Sequence, residues 1–412
     1  MDPQPSKLRR LPLNVWVLSA TSFFTDVSSE MLFNLIPLFL VNVLGTRTLY
    51  VGLIDGIAET TASLVKIISG RLSDVLGKRK WLTVAGYSLS TIAKPFLYFA
   101  NSWPWVLGVR FTDRIGKGIR TAPRDALLAN SIQSNQRGLA FGLHRAGDTA
   151  GAFTGLGIAA LIVWFAQAND AVLELNTFRV VVLASIIPAV LGVLILALGA
   201  REVEAASPAK ADSQVNTTTS PMKSEHKGID RRFKLFLVVV VIFTLGNSSD
   251  SFIILRAQDR GLNVLQEMLM LMTFNAVYAS LSGPLGSLSD RIGRRRLILG
   301  GWLLYGLIYL GFALSQTGTQ IWALFALYGI YYASTEGVAK ALVADLVASE
   351  QRGTAYGFFN GAIGITALPA SVIAGLLWQG AGGWSGFGSS APFFFGASLA
   401  LLAGILFWFW MR

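Results

Sequence analysis

The sequence predicts an all-α polytopic membrane protein: twelve transmembrane helices in two six-helix bundles related as parallel repeats, with both termini cytoplasmic. Three observations predict it. Hydrophobic residues make up 53% of the 412 and charged residues only 14%, well below the roughly 25% charge of soluble domains. Long apolar runs recur along the chain, each near the roughly 20 residues that cross a bilayer. Finally, Gly70-Arg-Leu-Ser-Asp-Val-Leu-Gly-Lys-Arg-Lys80 returns as Gly286-Ser-Leu-Ser-Asp-Arg-Ile-Gly-Arg-Arg-Arg296, 216 residues later.

The spans fall at about 13–40, 49–71, 81–100, 103–129, 138–166, 178–199, 233–256, 262–289, 297–315, 320–347, 353–379 and 390–410. The first follows a basic head (Lys7, Arg9, Arg10) as a signal peptide would, but it is too long and carries Asp26 and Glu30, so it reads as a retained helix. Spans two, four and ten carry charges that weaken their hydropathy, and the internal repeat rescues them. Residues 1–200 form the first bundle, 201–231 a polar linker and 232–412 the second bundle. Two further repeats support the division. Gln136-Arg-Gly-Leu-Ala-Phe-Gly142 returns as Gln351-Arg-Gly-Thr-Ala-Tyr-Gly357, and Ser28-Ser29-Glu30 as Ser248-Ser249-Asp250.

The net charge of +11 does not point to nucleic acid. Basic residues gather in the head, the 71–80 and 291–296 turns, the linker and Arg412, while the alternate loops hold few beyond Arg47, Arg256 and Arg260. That asymmetry is the positive-inside pattern, and it places both termini in the cytoplasm. The chain has no cysteine and two histidines, so thiolate metal sites, disulfides and cysteine nucleophiles are excluded. Gly116-Lys117-Gly118 lacks the glycine and hydroxyl that a phosphate loop needs. No cofactor and no enzymatic constellation are expected.

Tandem bundles of this kind resemble transporters of the major facilitator superfamily. The family's loop signature between helices two and three is matched by Gly286, Leu288, Asp290, Arg291, Gly293, Arg294 and Arg295. The first-half copy matches through Gly70, Leu72, Asp74, Gly77, Lys78 and Arg79 and departs at Val75, where arginine is usual. A helix-four pattern is met by Arg110, Gly116 and Gly118, with Arg114 standing where glycine is common. The resemblance implies that the loop assembly latches helices of opposite halves in one state and releases them in the other. Asp345 is the expected partner of Arg291 or Arg294, and a mere topology anchor is the plainer reading. Gly77 and Gly293 suit the tight reversal because glycine takes positive φ freely.

Charges within the spans are the candidate substrate or proton pathway: Asp26, Glu30, Asp55, Glu59, Arg110, Asp113, Arg114, Lys117, Arg145, Asp148, Asp250, Glu336 and Lys340. A charge at the bilayer centre costs at least ~2.5 kcal/mol, so each should face a partner or a wet cavity. Asp26 and Glu30, Asp55 and Glu59, and Glu336 and Lys340 are i,i+4 pairs, and Arg145 and Asp148 are i,i+3, which keeps each helix's charge on one face. At 1.5 Å per residue, Asp26, Lys117, Asp250 and Glu336 lie about 21–25 Å into their helices, near or past mid-membrane. A carboxylate withdrawn from water exchanges protons closer to neutrality than one in solution, which makes Asp26, Glu30, Asp55 and Glu59 candidate proton carriers, modulated by Arg110, Arg114 or Arg145. The alternative for each is a permanent ion pair holding helices together. The second half, with fewer charges, is expected to supply apolar wall through Phe274, Tyr328, Tyr331 and Tyr332.

The expected function is proton-coupled secondary transport of a small organic solute by alternating access, leaning to efflux. Uptake of a charged metabolite or metal chelate, and a transport-inactive sensor, are the alternatives. The expected partners are a small-molecule substrate, protons or another coupling ion, and the lipid of a bacterial inner membrane, with the protein a monomer.

Overall fold

The computed structural model describes residues 11–132, 137–167, 170–203, 230–347 and 351–410. The basic head, Gln136, most of the linker, Arg412 and the side chain of Asp74 lie outside the described residues.

Twelve helices run back and forth. In the first half, α1 is Leu13–Phe33, continued with a jog at Asn34–Leu35 by Ile36–Leu38 and Phe39–Val43. Helix α2 spans Thr48–Leu76, α3 Arg79–Ala93, α4 Trp103–Asn130, α5 Arg137–Gln167 and α6 Leu175–Gly199. Pro95 takes the end of α3 into a tighter 3₁₀ turn at Lys94–Phe99, since its ring clashes with a continued α-helix. In the second half, α7 is Arg231–Gly246 and resumes at Ser251–Asp259. The remaining helices are α8 Val264–Ile292, α9 Arg294–Leu314, α10 Gly318–Leu346, α11 Arg352–Gln379 and α12 Ala391–Trp410.

Eight of these helices are long and apolar enough to span a bilayer; α2, α3, α4 and α10 are not. Large apolar side chains such as Phe165, Leu198 and Phe409 point outward, the arrangement hydrocarbon favours. The repeated turns are tight reversals: Gly77 ends α2 at φ 63° and Gly293 separates α8 from α9 at φ 93°. A side chain there would force its Cβ against the carbonyl.

Within each half the helices pack as a closed bundle, and α2 against α11 and α5 against α8 join the halves. The face opposite the termini, called here the far face, is the tight one. There the Thr48 amide donates to Gln379 Oε1 (2.9 Å) and Thr60 Oγ1 to the Gly364 carbonyl (2.6 Å). Gly56 lies so close to α11 that a Cβ on it would sit 2.7 Å from Leu368 Cα. Toward the termini, the Glu59 and Arg145 side chains are 52% and 57% exposed. The interior is therefore closed at the far face and open at the other.

The seventh span, expected at 233–256, is formed by two helical pieces separated at residues 247–250. Asn247 leaves helical geometry at φ −98°, ψ 81°, and the carbonyl of Gly246 freed by the break accepts from Tyr305 Oη at 2.9 Å. A broken membrane helix is tolerated only where such groups are satisfied or line a cavity.

Candidate functional site: a charged cavity between the two halves

The break in α7 opens onto a cavity of about 420 Å³. Helices α1, α2 and α4 of the first half line it through Glu30, Asp55, Glu59, Arg110 and Arg114; α7, α10 and α11 of the second contribute Asp250, Tyr332 and Ser371.

Asp55 is its most connected group. Arg110 Nη2 meets Asp55 Oδ1 at 3.0 Å. Its other oxygen accepts from Ser249 Oγ (2.7 Å) and from Ser251 Oγ. The restarting segment of α7 also points its N-terminal end here, which favours a carboxylate. One turn on, Glu59 is 3.1 Å from Arg114 Nη1, and Asp113 lies 3.7 Å from Arg114 Nε. Asp113 is buried behind this pair and does not line the cavity. The Phe33 ring lies beneath both guanidiniums, 4.5 Å from Arg110 and 5.4 Å from Arg114. Lys94, fully enclosed, donates to Ser28 Oγ (2.7 Å) and Ser29 Oγ (3.1 Å).

Glu30 and Asp250 have a different environment. Glu30 Oε2 accepts from Asn34 Nδ2 at 2.8 Å. Asp250 accepts from Tyr328 Oη at 3.2 Å and from Tyr332 Oη at 3.5 Å. Neither carboxylate forms an ion pair among the described residues. The expectation that these tyrosines are apolar wall is corrected: their rings pack in an aromatic cluster with Phe274 (5.8 and 5.3 Å between centroids) while their hydroxyls hold a carboxylate.

Other predicted residues lie outside this cavity. Asp26 sits between α1 and α5 with Asp148, Arg120 and Lys117 as its charged neighbours besides Glu30. His144 Nδ1 is 3.6 Å from Asp148 Oδ2. Lys117 has Glu59 and Asp26 among its charged neighbours but forms no ion pair within 4 Å among the described residues. Arg145 keeps Asp148 among its charged neighbours. Arg145 reaches across to the second half, where Nη2 donates to Tyr278 Oη (2.8 Å) and lies 3.7 Å from Glu336. Tyr278 in turn donates to Glu336 Oε2 (2.6 Å), and Lys340 Nζ completes the bridge 3.5 Å from Glu336.

The sequence profile of the Major Facilitator Superfamily matches residues 18–274 and 235–412. The chain belongs to the major facilitator superfamily. It is 36% identical over 407 residues to an uncharacterized MFS-type transporter of Methanocaldococcus jannaschii, covering 97% of this chain and 96% of the relative. It is 23% identical to the multi-drug resistance efflux pump PmrA homolog of Lactococcus lactis, across 88% of this chain and 89% of that one. It is 26% identical to the multidrug resistance protein MdtH of Cronobacter sakazakii, across 81% and 80%. Among solved structures, the nucleoside transporter NupG superposes with a TM-score of 0.75 at 11% identity, covering 97% of this chain and 99% of that one. A bacterial homolog of the human lysosomal transporter Spinster, inward-facing and unoccupied, gives 0.74 at 16% identity, covering 97% of both. These structural likenesses concern the fold.

As a member of the superfamily, the chain is an integral multi-pass membrane transporter, and its two signature loops can be read on that footing. In the second half Arg294 Nη1 contacts Asp345 and donates to the Ala341 carbonyl (2.7 Å), and Nη2 is 3.6 Å from Asp290. Arg291 is exposed beside them. In the first half the amides of Arg79 and Lys80 donate to Glu202 (2.9 and 3.0 Å), while Val75 is 84% exposed. These Arg294 contacts lie within the second half, whereas the first-half turn is held by Glu202 at the start of the linker. Gly70 packs 3.5 Å from Ala122 on α4, measured from an added Cβ, whereas Gly286 faces open space. Lys78 is exposed on the same face as Arg291.

Sequence reading missed Asn34, Phe33, Ser249, Ser251 and the tyrosine hydroxyls as parts of the cavity. Only the Ser-Ser-acid repeat carried a signal for any of them.

Proposed function

We propose that this chain is a proton-coupled secondary transporter that exports a small organic solute by alternating access. One observation carries the reading: a single cavity, closed at the far face, draws ionisable side chains from both halves. Rocking of one bundle on the other around such a site exposes it to each side in turn. Membrane-embedded carboxylates beside arginines supply groups whose charge can follow proton binding. The leaning to efflux draws on the names of the Lactococcus and Cronobacter relatives.

On this reading the two units are residues 1–200 and 232–412, the termini and signature loops face the cytoplasm, and the protein sits as a monomer in a bacterial inner membrane. The basic turns support that orientation. The loop motifs act as latches, with Arg294 and Asp345 held inside the second half when the cytoplasmic side is open. It is not an enzyme, and it requires neither cofactor nor nucleic acid.

The test is solute flux into and out of proteoliposomes under an imposed pH gradient, comparing Asp26→Asn, Glu59→Gln and Arg110→Ala with the parent. Gradient-driven flux that the substitutions abolish or uncouple supports the reading. Flux that survives both collapse of the gradient and all three changes refutes proton coupling.

A further inference from the structure

The charges lining the cavity do not cancel. Four carboxylates, Glu30, Asp55, Glu59 and Asp250, face two guanidiniums, Arg110 and Arg114. Asp55 is taken by Arg110 at 3.0 Å and Glu59 by Arg114 at 3.1 Å. Two negative charges are left over, Glu30 and Asp250, held by an amide and by two phenols respectively. Lys94 lies behind the cavity, donates to the Ser28 and Ser29 hydroxyls, and has Asp113, which does not line the cavity, as its nearest acidic counterpart. Asp55 and Glu59 are among the charges around Asp250, and they repel it.

The positions of these two carboxylates are related. Glu30 closes the Ser28-Ser29-Glu30 copy and Asp250 the Ser248-Ser249-Asp250 copy of the internal repeat. The pseudo-twofold relation of the halves therefore sets one uncompensated carboxylate on each side of the same space. A charge withdrawn from bulk water without a partner is costly, and a counter-charge arriving with the occupant removes that cost.

An anion filling this space would meet four carboxylates, whereas a positively charged molecule answers the two that lack an ion-pair partner among the described residues.

We infer that the transported solute is an organic cation, with its cationic centre held between Glu30 and Asp250. This rests on the transport reading and names its substrate class. Glu30 and Asp250 are then the specificity-determining residues for charge.

Binding to the purified full-length protein in detergent tests this without requiring flux. Benzoylcholine supplies a quaternary cation; 3,3-dimethylbutyl benzoate has the same shape with carbon in place of the charged nitrogen. Titration calorimetry should show benzoylcholine binding at least about 10-fold tighter than its neutral isostere, a margin of roughly one ion contact. Glu30→Gln and Asp250→Asn should each erase most of that preference. Equal affinities, tighter binding of the isostere, no binding of benzoylcholine, or a preference untouched by both substitutions would overturn the proposal. The comparison of the two ligands on the parent protein stands even if a variant fails to fold. Charge-selective binding together with flux indifferent to the pH gradient would refute proton coupling and leave the substrate class standing.

Discussion

Asp55 on α2 and Ser249 in the break of α7 are joined by a hydrogen bond of 2.7 Å that crosses between the halves. With Ser251 on the same oxygen and Arg110 on the other, Asp55 fastens the second half to the first directly below the closed far face. Hydrogen bonds to a charged group contribute about 1.5–3 kcal/mol each, enough to bias a conformational equilibrium roughly tenfold or more. Asp55→Asn should therefore loosen the far face. In a Thr48→Cys/Gln379→Cys background, disulfide formation across that face should slow several-fold. An unchanged rate would show that Asp55 does not hold the closure.

The closure also needs small residues. A Cβ on Gly56 would lie 2.7 Å from Leu368 Cα, too close for a side chain without moving a helix. Gly56→Val should keep the protein folded but prevent the far face from sealing, because overpacking costs about 1–3 kcal/mol and falls on one conformation. Labelling of far-face cysteines by a membrane-impermeant reagent should rise, and flux should fall by about tenfold. A variant with normal labelling and flux would contradict the packing argument.

On the open side, Arg145 and Glu336 link α5 to α10 through Tyr278. Partly exposed pairs contribute little energy, roughly 0–1 kcal/mol, so their effect should appear in transport rate rather than folding. Arg145→Glu and Glu336→Arg should each slow flux, and the double exchange should recover most of it. Recovery of nothing would mean that the two side chains act independently.

Glu267 on α8 is completely buried, and among the described residues neither of its carboxyl oxygens has a hydrogen-bond partner. Burying an unsatisfied polar group costs about 1–3 kcal/mol. Glu267→Met should melt at or above the parent's temperature in detergent. A clear drop would reveal a partner or a role for this side chain.

Much of the architecture was legible because membrane helices announce themselves by hydropathy and because the chain repeats itself. Gly77 and Gly293, fixed by the duplicated turn, sit where the reversals occur. The span around Asp55 and Glu59 was recoverable only through the repeat, since its charges offset its apolar residues. The charged residues of the cavity could be picked out, but their partners could not. Spacing along one helix says which side chains share a face and nothing about the helix opposite. The spacing of Arg145 and Asp148 thus could not show that Arg145 also bridges the halves. The break in α7 had a faint local signal in Asn247-Ser-Ser-Asp250, a run of residues that compete with helical hydrogen bonds through their side chains. Tyr328 and Tyr332 were hidden for a different reason: a tyrosine packs like an aromatic while its hydroxyl answers to a carboxylate on another helix.

The central claim is that the two halves part at the far face in every transport cycle. The chain contains no cysteine, so Thr48→Cys/Gln379→Cys introduces the only pair, at a place where the two residues already touch through a 2.9 Å hydrogen bond. Flux in proteoliposomes should stop when this pair is oxidised and return on reduction. Undiminished flux through the disulfide-locked protein would contradict the account.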